Sequence, residues 1–178
     1  MVRKIVGIKH PALHRKSKPV AKVDKKVEQL IADLWETLAA QKDPEGIGLA
    51  APQVGKNLRV FIVSYGKVQQ AFINPKILKT SKSAKDKKLK TKHKRRILEG
   101  CLSLPHYYSP IVRADKLRVK YLNEAGQEEE KEFTGFIAQI IGHEIDHLEG
   151  KVFIDHTLEQ ELPLYKFDGN DWEEVELA

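Results

Sequence analysis

The chain has 178 residues, the length of one domain or of one domain with an appendage. Hydrophobic residues make up 41% of it, enough for a core, and no stretch approaches the roughly 18 consecutive apolar residues of a membrane span. Its one cysteine excludes an internal disulfide, and its first residues lack the apolar stretch of a secretory signal. We therefore expect a cytoplasmic protein.

The net charge of +6 conceals two segments of opposite sign. Residues 76–96 carry a charge of +10, whereas residues 159–178 carry a charge of −6. A uniformly basic face for nucleic acid is therefore not implied. The basic segment shows no sustained periodicity and is predicted to be a solvated loop or hairpin tip inserted in one domain of residues 1–158, followed by an acidic C-terminal tail.

The first predicted element is an amphipathic helix over residues 24–41. Asp24 suits its N-cap, because a carboxylate accepts hydrogen bonds from the free N–H groups of the first turn. Asp43-Pro44 ends it, since the residue before a proline disfavours helical geometry. The apolar side chains that recur at spacings of three and four are Val27, Leu30, Ile31, Leu34, Trp35 and Leu38.

Strands follow this helix. The apolar runs 60–63 and 71–75 have strand length, and we expect Pro75 to end the second run. Alternation over residues 117–122 predicts a half-buried strand, which a turn connects to an acidic partner strand at 127–133.

A second helix is predicted over about 135–149, with Thr134 as its N-cap and Gly150 just beyond its end. It is apolar on more than one side, which is typical of a buried helix. Hairpin-like strands and two helices without a βαβ rhythm favour the α+β class. We expect short mixed or antiparallel sheets packed around this central helix, together with the N-terminal amphipathic helix.

The second helix carries the sequence His143-Glu144-Ile145-Asp146-His147. Histidines at i and i+4 lie on one helix face, so both imidazoles can reach a single metal ion. Glu144 can lean over an open coordination position, where a general base acts on water. A surface helix with two solvated histidines is the alternative, but the surrounding helix is too apolar for a surface. The pattern therefore predicts a metal site.

A catalytic metal site usually needs a third protein ligand, which Asp, Glu, His or Cys can supply. Cys101 is the only cysteine, and a lone free cysteine is most often a small buried hydrophobe. Beside a two-histidine motif that lacks a partner, the interpretation shifts toward a thiolate ligand. Gln53 is an amide in an otherwise apolar loop at 46–55, and a donor aimed at a developing oxyanion is one use for it.

Three segments in this order resemble the motifs of the peptide deformylase family. They are residues 46–53 (Gly-Ile-Gly-Leu-Ala-Ala-Pro-Gln), 99–103 (Glu-Gly-Cys-Leu-Ser) and 143–147 (His-Glu-Ile-Asp-His). His-Glu-x-x-His alone would be shared with many metallopeptidases, whereas all three motifs in order are highly specific. The resemblance extends from about Val6 to about Leu158.

This resemblance implies hydrolysis of the formyl group from the N-terminal formyl-Met of nascent polypeptides, releasing formate. It implies that Cys101, His143 and His147 hold one divalent ion, Fe(II) in cells, although zinc, nickel or cobalt can occupy such a site. A monomer is expected, with no membrane association.

The resemblance also assigns roles to other residues of the motifs. Glu144 would take a proton from water and deliver it to the leaving nitrogen, while Gln53 and the Leu102 N–H stabilise the oxyanion. Asp146 would orient a ligand or anchor a buried arginine such as Arg113, and Glu99 would share that task. The positions expected to face the substrate are Gly46, Ile47, Gly48, Tyr108, Gln139 and Ile140.

The chain departs from the family pattern near the substrate. Members often place an arginine a few residues after the cysteine motif, where this chain has His106-Tyr107-Tyr108. Aromatic residues can line the methionine pocket there instead. Gln139 would make another wall of that pocket more polar than an aliphatic one.

The basic segment and two other functions remain open. Residues 76–96 are either a solubilising loop or a contact with ribosomal RNA, where the substrate emerges. A metallopeptidase would take its third ligand from downstream residues, of which His156, Glu159 and Glu161 are candidates. An RNA-binding module with a structural metal site, or none, is the third possibility.

Overall fold

The computed structural model describes residues 1–81 and 97–177, and this part of the chain forms two antiparallel sheets and three α-helices. The helices are α1 (Lys25–Ala39), α2 (Phe136–Leu148) and α3 (Phe153–Glu159). The strands are β1 (Gly48–Ala50), β2 (Val60–Tyr65), β3 (Val68–Thr80), β4 (Glu99–Cys101), β5 (Leu104–Ser109), β6 (Lys116–Leu122), β7 (Glu128–Thr134), β8 (Leu164–Phe167) and β9 (Trp172–Val175). The predicted α+β class with antiparallel sheets is confirmed. None of the described helices has the length and apolar character needed to cross a membrane.

The larger sheet, with strand order β1-β2-β3-β6-β7, separates α1 from α2. Successive side chains of a strand point to opposite faces, so one strand can serve two cores. On β2, Phe61 and Val63 pack in the cluster of α2, while Val60 and Ile62 pack in the cluster of α1. This explains why β2 is apolar at four consecutive positions, all fully buried.

Helix α1 begins after Asp24, whose carboxylate accepts hydrogen bonds of 3.0 Å from the backbone N–H groups of Lys26 and Val27. One face of the helix is buried against the larger sheet, with Leu34 fully covered. The helix ends at Ala39, so it lies within the range 24–41 that the spacing predicts.

The smaller sheet, with order β4-β5-β8-β9, contains strands from the segment predicted to be an acidic tail. Residues Leu164–Phe167 pair with β5, and Trp172–Val175 fold back onto them as a hairpin. The expectation of a tail is wrong for these residues, because Leu164 is buried in a small core with Ile111 and Phe153. Four of the segment's seven acidic residues lie at exposed positions of this hairpin, namely Asp168, Asp171, Glu173 and Glu174.

Strand β3 continues through Pro75 to Thr80, so the expectation that the proline ends it is wrong. Asn74 has a positive φ of 50°, and the register with β6 shifts between Ile73 and Lys76. A proline is tolerated within a sheet at such an irregularity, because no ladder hydrogen bond is required from its nitrogen. The first part of the predicted basic loop is therefore strand, and residues 82–96 lie outside the described residues.

The start of α2 also differs from the prediction. Thr134 is the last residue of β7 and pairs with Lys116, so it does not cap the helix. The N-cap is Gly135, whose φ of 65° is readily reached only without a side chain. A glycine at this point lets the chain turn from the sheet edge directly into a buried helix.

We predict that Phe72→Ala lowers the free energy of unfolding by about 3–5 kcal/mol, because it leaves a cavity in the core. The Phe72 ring is fully buried and lies 4.7 Å from the ring of Phe61 and 4.5 Å from that of Tyr121. Urea unfolding measures the change. Leu158→Ala is the control, since Leu158 is 57% exposed and its truncation should change stability by less than about 0.5 kcal/mol. Equal stability losses in the two variants would contradict the packing described.

Candidate metal centre

One sulfur and two imidazoles meet where β4 lies beside α2. The nearest ligand atoms of Cys101, His143 and His147 all lie within 4.8 Å of one another, and all three residues are buried. The Cys101 Sγ is 3.3 Å from the Nε2 of His147, and the two imidazole rings are 4.8 Å apart at 82°. Side chains in this arrangement could hold one metal ion.

The charge state of the cysteine suits a metal ligand. Burial by itself would raise the pKa of the Cys101 thiol, but the adjacent imidazoles of His147 and His143 outweigh burial and lower it well below its usual value. A thiolate, rather than a thiol, is the form that binds metal. The donor set of one thiolate and two imidazoles therefore fits a zinc-like or iron-like divalent ion.

A chain of buried and partly buried polar contacts begins at the Nδ1 of His143 and fixes the orientation of its ring. The Glu99 Oε1 lies 2.7 Å from the Nδ1 of His143. Arg113 donates two hydrogen bonds of 2.7 Å to the Glu99 carboxylate and one of 2.7 Å to the Oδ2 of Asp146. The Asp146 carboxylate also lies 2.7 Å from the Nε2 of His156.

This arrangement determines which nitrogen of His143 is available to a ligand. Burial would raise the pKa of Glu99, but the hydrogen bonds and charge of Arg113 outweigh burial and hold it well below its usual range. A charged Glu99 then accepts the Nδ1 proton of His143, which leaves the Nε2 lone pair directed away from the carboxylate. The structure thus brings Glu99, Arg113 and Asp146 together, as the sequence suggested.

Gln53 lies in a short 3₁₀ turn, Ala51–Val54, and its side chain reaches Cys101. Its side-chain Oε1 accepts a 2.9 Å hydrogen bond from the Ala50 N–H, which fixes the orientation of the amide. The Nε2 group therefore points toward the Cys101 Sγ at 3.4 Å and toward the Ser103 Oγ at 3.3 Å. The amide donor is buried and held in place at the edge of the candidate metal centre.

Within the described part of the chain, Glu144 forms no ion pair with a lysine or arginine, unlike Glu99 and Asp146. Burial raises its pKa to about 7, and its Oε2 is buried without a hydrogen-bond partner among the described residues. Gly48 makes room for it, because a Cβ atom on that glycine would lie 2.5 Å from the Glu144 Oε1. The carboxyl is thus placed beside the histidines with one oxygen left for another molecule.

A cavity opens next to these groups, with Cys101, His143 and Glu144 in its wall. All six residues predicted to face the substrate line it, namely Gly46, Ile47, Gly48, Tyr108, Gln139 and Ile140. The Gln139 amide nitrogen is turned toward the Glu99 Oε2 at 3.3 Å. Sequence reasoning missed Phe136, which also lines the cavity; its spacing of three and four from Gln139 and Ile140 was the available signal.

The downstream acids and histidine of the metallopeptidase alternative lie elsewhere. His156 contacts Asp146, and Glu159 is 3.9 Å from the His156 Nδ1. The sulfur of Cys101, rather than a downstream group, is the third candidate ligand atom beside His143 and His147.

A family model described as polypeptide deformylase matches residues 2–162, nearly the whole chain. A peptide deformylase of Pseudothermotoga lettingae is 42% identical over 155 residues, covering 87% of this chain and 82% of that protein. One of Dictyoglomus turgidum is 39% identical over 160 residues, covering 90% and 95%. Enzymes of this family hydrolyse an amide bond, which agrees with a buried cluster of metal-ligand type beside a cavity.

Solved structures agree with the sequence comparison. The crystal structure of peptide deformylase from Thermotoga maritima superimposes with a TM-score of 0.77 at 34% identity, covering 88% of this chain and 97% of that one. The Ehrlichia chaffeensis enzyme, in complex with actinonin, gives 0.74 at 33% identity, covering 90% and 92%. The chain belongs to the polypeptide deformylase family.

We predict that Arg113→Leu destabilises the metal-free protein by about 3–5 kcal/mol, because it leaves the buried Glu99 carboxylate and the partly buried Asp146 carboxylate without their shared cation. Arg118→Leu is the matched control, since the Arg118–Glu130 pair is exposed and should contribute less than about 1 kcal/mol. Guanidinium unfolding of both variants measures the difference. A loss for Arg113→Leu as small as that of the control would contradict a supporting ion-pair network.

Proposed function

We propose that this chain hydrolyses the formyl group of N-terminal formyl-Met on newly made polypeptides, giving formate and a free amine. The observation that carries the proposal is the convergence of Cys101, His143 and His147 in a chain of the deformylase family. These three side chains lie beside a cavity that is lined by the residues predicted to face the substrate. In this proposal the three side chains hold one divalent ion. When bound, such an ion acts as a Lewis acid and lowers the pKa of water toward neutrality.

We assign iron(II) as the native metal, because the family resemblance implies it. One thiolate and two imidazoles also suit zinc, nickel and cobalt, so these ions should occupy the same site in purified protein. Burial of Cys101 shields its thiolate from solvent. Molecular oxygen would nevertheless oxidise ferrous iron bound there, and the thiolate with it.

Glu144 is the proposed proton carrier. It takes a proton from the attacking water and delivers it to the leaving nitrogen. Two features support this role: one carboxylate oxygen is buried with no hydrogen-bond partner among the residues that the structure describes, and burial raises the pKa of Glu144 to about 7. A pKa near the working pH allows the same group to accept and then donate a proton efficiently.

The oxyanion of the tetrahedral intermediate is stabilised by Gln53 and by the backbone N–H of Leu102. The hydrogen bond from Ala50 holds the Gln53 amide in a single orientation before substrate arrives. Donors preorganised in this way can each contribute about 3 kcal/mol toward lowering the barrier.

The cavity accounts for the substrate. Gly46, Gly48 and Ile140 line the same cavity as Cys101 and His143, and the two glycines leave space for a formyl group, whereas bulkier acyl groups would be rejected sterically. The methionine side chain would extend along Ile47, Gln139 and the aromatic ring of Tyr108. The Gln139 amide nitrogen is directed at Glu99, which reduces the polarity that it presents to the methionine.

We infer that the protein acts in the cytoplasm, where nascent chains are made, and as a monomer, because one chain supplies all the proposed site residues. Contact with ribosomal RNA through the basic segment 76–96 is also part of the proposal. The proposed RNA contact rests on the charge of the segment, and most of the residues of this segment lie outside the described residues. Such binding should weaken steeply with added salt.

The proposal is tested by formate release from a formyl-Met peptide with protein loaded with iron or nickel. Glu144→Gln should lower kcat at least about 100-fold, since the proton carrier is lost, while the bound metal per chain stays the same. Glu159→Gln is the control, because Glu159 is exposed and should leave kcat unchanged.

Two results would count against the proposal. One is wild-type protein that binds metal yet releases no formate; the other is Glu144→Gln with undiminished turnover. Inhibition by a small hydroxamate separates the remaining alternative, since a closed structural metal site in an RNA-binding module should not respond.

A further inference from the structure

The hairpin formed by β8 and β9 reaches the substrate cavity through one aromatic side chain. The Trp172 ring lies 5.4 Å from the Tyr108 ring at 66°, an edge-to-face contact, and 4.8 Å from the Phe167 ring. Tyr108 lines the cavity next to the candidate metal centre. A residue near the C-terminal end of the chain therefore touches a wall of the pocket.

Tyr108 also lies against the backbone of β4. Gly100 pairs with Tyr108 across the two strands, and a Cβ atom on Gly100 would lie 2.7 Å from two carbons of the tyrosine ring. The ring thus lies directly on the glycine that precedes Cys101. Contacts with both Gly100 and Trp172 give the ring a defined position relative to the candidate ligand.

The strand register explains why Trp172 meets this ring. Tyr108 pairs with Tyr165, and Phe167 pairs with Trp172. Paired residues and alternate residues of antiparallel strands share one face of a sheet, so these four aromatic side chains lie on the same face. Trp172 is at the end of this row, and it is 52% exposed. It therefore adds little to the protein core, whereas its ring contacts the rings of Tyr108 and Phe167.

We propose that Trp172 is a positioning residue for substrate binding, which holds the Tyr108 ring against Gly100 so that it forms a wall of the pocket. This inference rests on the proposed deformylase function and deepens it, because it assigns the β8–β9 hairpin to the substrate-binding machinery. Aromatic pairs of this geometry stabilise one arrangement of the rings beyond the area they bury. Without Trp172, the tyrosine ring can leave the wall, while Glu144 and Gln53 keep their contacts.

The test is steady-state formate release from a formyl-Met-Ala-Ser peptide by metal-loaded wild-type protein and variants. Trp172→Ala should raise KM about 3- to 10-fold, as expected for loss of one aromatic contact, and leave kcat within about twofold. Trp172→Phe should restore most of the affinity, because it keeps a ring beside Tyr108. Trp172→Leu keeps apolar bulk without an aromatic edge and should resemble Trp172→Ala, which guards against misfolding of the alanine variant.

A double-mutant cycle with Tyr108→Ala distinguishes positioning from a general effect on the fold. If Trp172 acts through Tyr108, adding Trp172→Ala to Tyr108→Ala should change KM by less than about 1.5-fold. Leu158→Ala is the matched control for truncation of an exposed apolar side chain and should leave KM unchanged. Metal content and the thermal unfolding midpoint are measured in parallel.

The inference is overturned if Trp172→Ala and Trp172→Leu leave KM at the wild-type value while turnover is normal. It is also overturned if the rise in KM persists undiminished in the Tyr108→Ala background, or if kcat falls instead of KM rising. In all of these cases wild-type turnover shows that the proposed function stands. Absence of formate release by the wild-type protein is a different result, which removes the proposed function and this inference with it.

Discussion

The site depends on one packing contact between elements that are far apart in the chain. Strand β4 places Cys101 3.3 Å from His147, which lies 46 residues further on in α2. This contact exists only because α2 is buried against the larger sheet, where side chains of β4 reach its histidines. If α2 shifted along its axis by one turn, its histidines would move about 5 Å, and they could no longer bind the same ion as Cys101.

Neighbouring residues of α2 have opposite electrostatic surroundings. Asp146 accepts a hydrogen bond from Arg113 and is kept charged by it, whereas Glu144 lines the cavity and, among residues 1–81 and 97–177, forms no ion pair with a lysine or arginine. Burial therefore raises the pKa of Glu144 to about 7, while ion pairing lowers that of Asp146 despite burial. Acid and base roles are commonly separated in this way, by environments that move two carboxyl pKa values apart. One turn of helix thus supplies a structural anion and a proposed proton carrier.

Much of this arrangement could be predicted from the sequence. The i, i+4 spacing of His143 and His147 requires them to share a helix face, and the order of strands and helices favours the α+β class. The convergence of Cys101 on the histidines could not be derived from local pattern, because it depends on the packing of β4 against α2. Two arguments indicated it instead: the two-histidine motif lacks a third ligand that the only cysteine can supply, and three short motifs resemble those of one family.

The errors have identifiable physical causes. Pro75 lies at an irregularity in the ladder, where a strand can continue past it, so the residue type alone was misleading. The hairpin of β8 and β9 was missed because its net negative charge dominated the interpretation. Its sequence carries a turn signal, Asp168-Gly169-Asn170-Asp171, between the aromatic residues Phe167 and Trp172, and that pattern is typical of a hairpin. Which strand the hairpin pairs with is decided by tertiary packing alone.

X-ray absorption at the metal edge tests the central claim most directly. For protein loaded with one equivalent of zinc, the account predicts one sulfur at about 2.3 Å and two imidazole nitrogens at about 2.0–2.1 Å, with a light-atom ligand completing the shell. A zinc shell without sulfur, or one closed by four protein ligands, would contradict it.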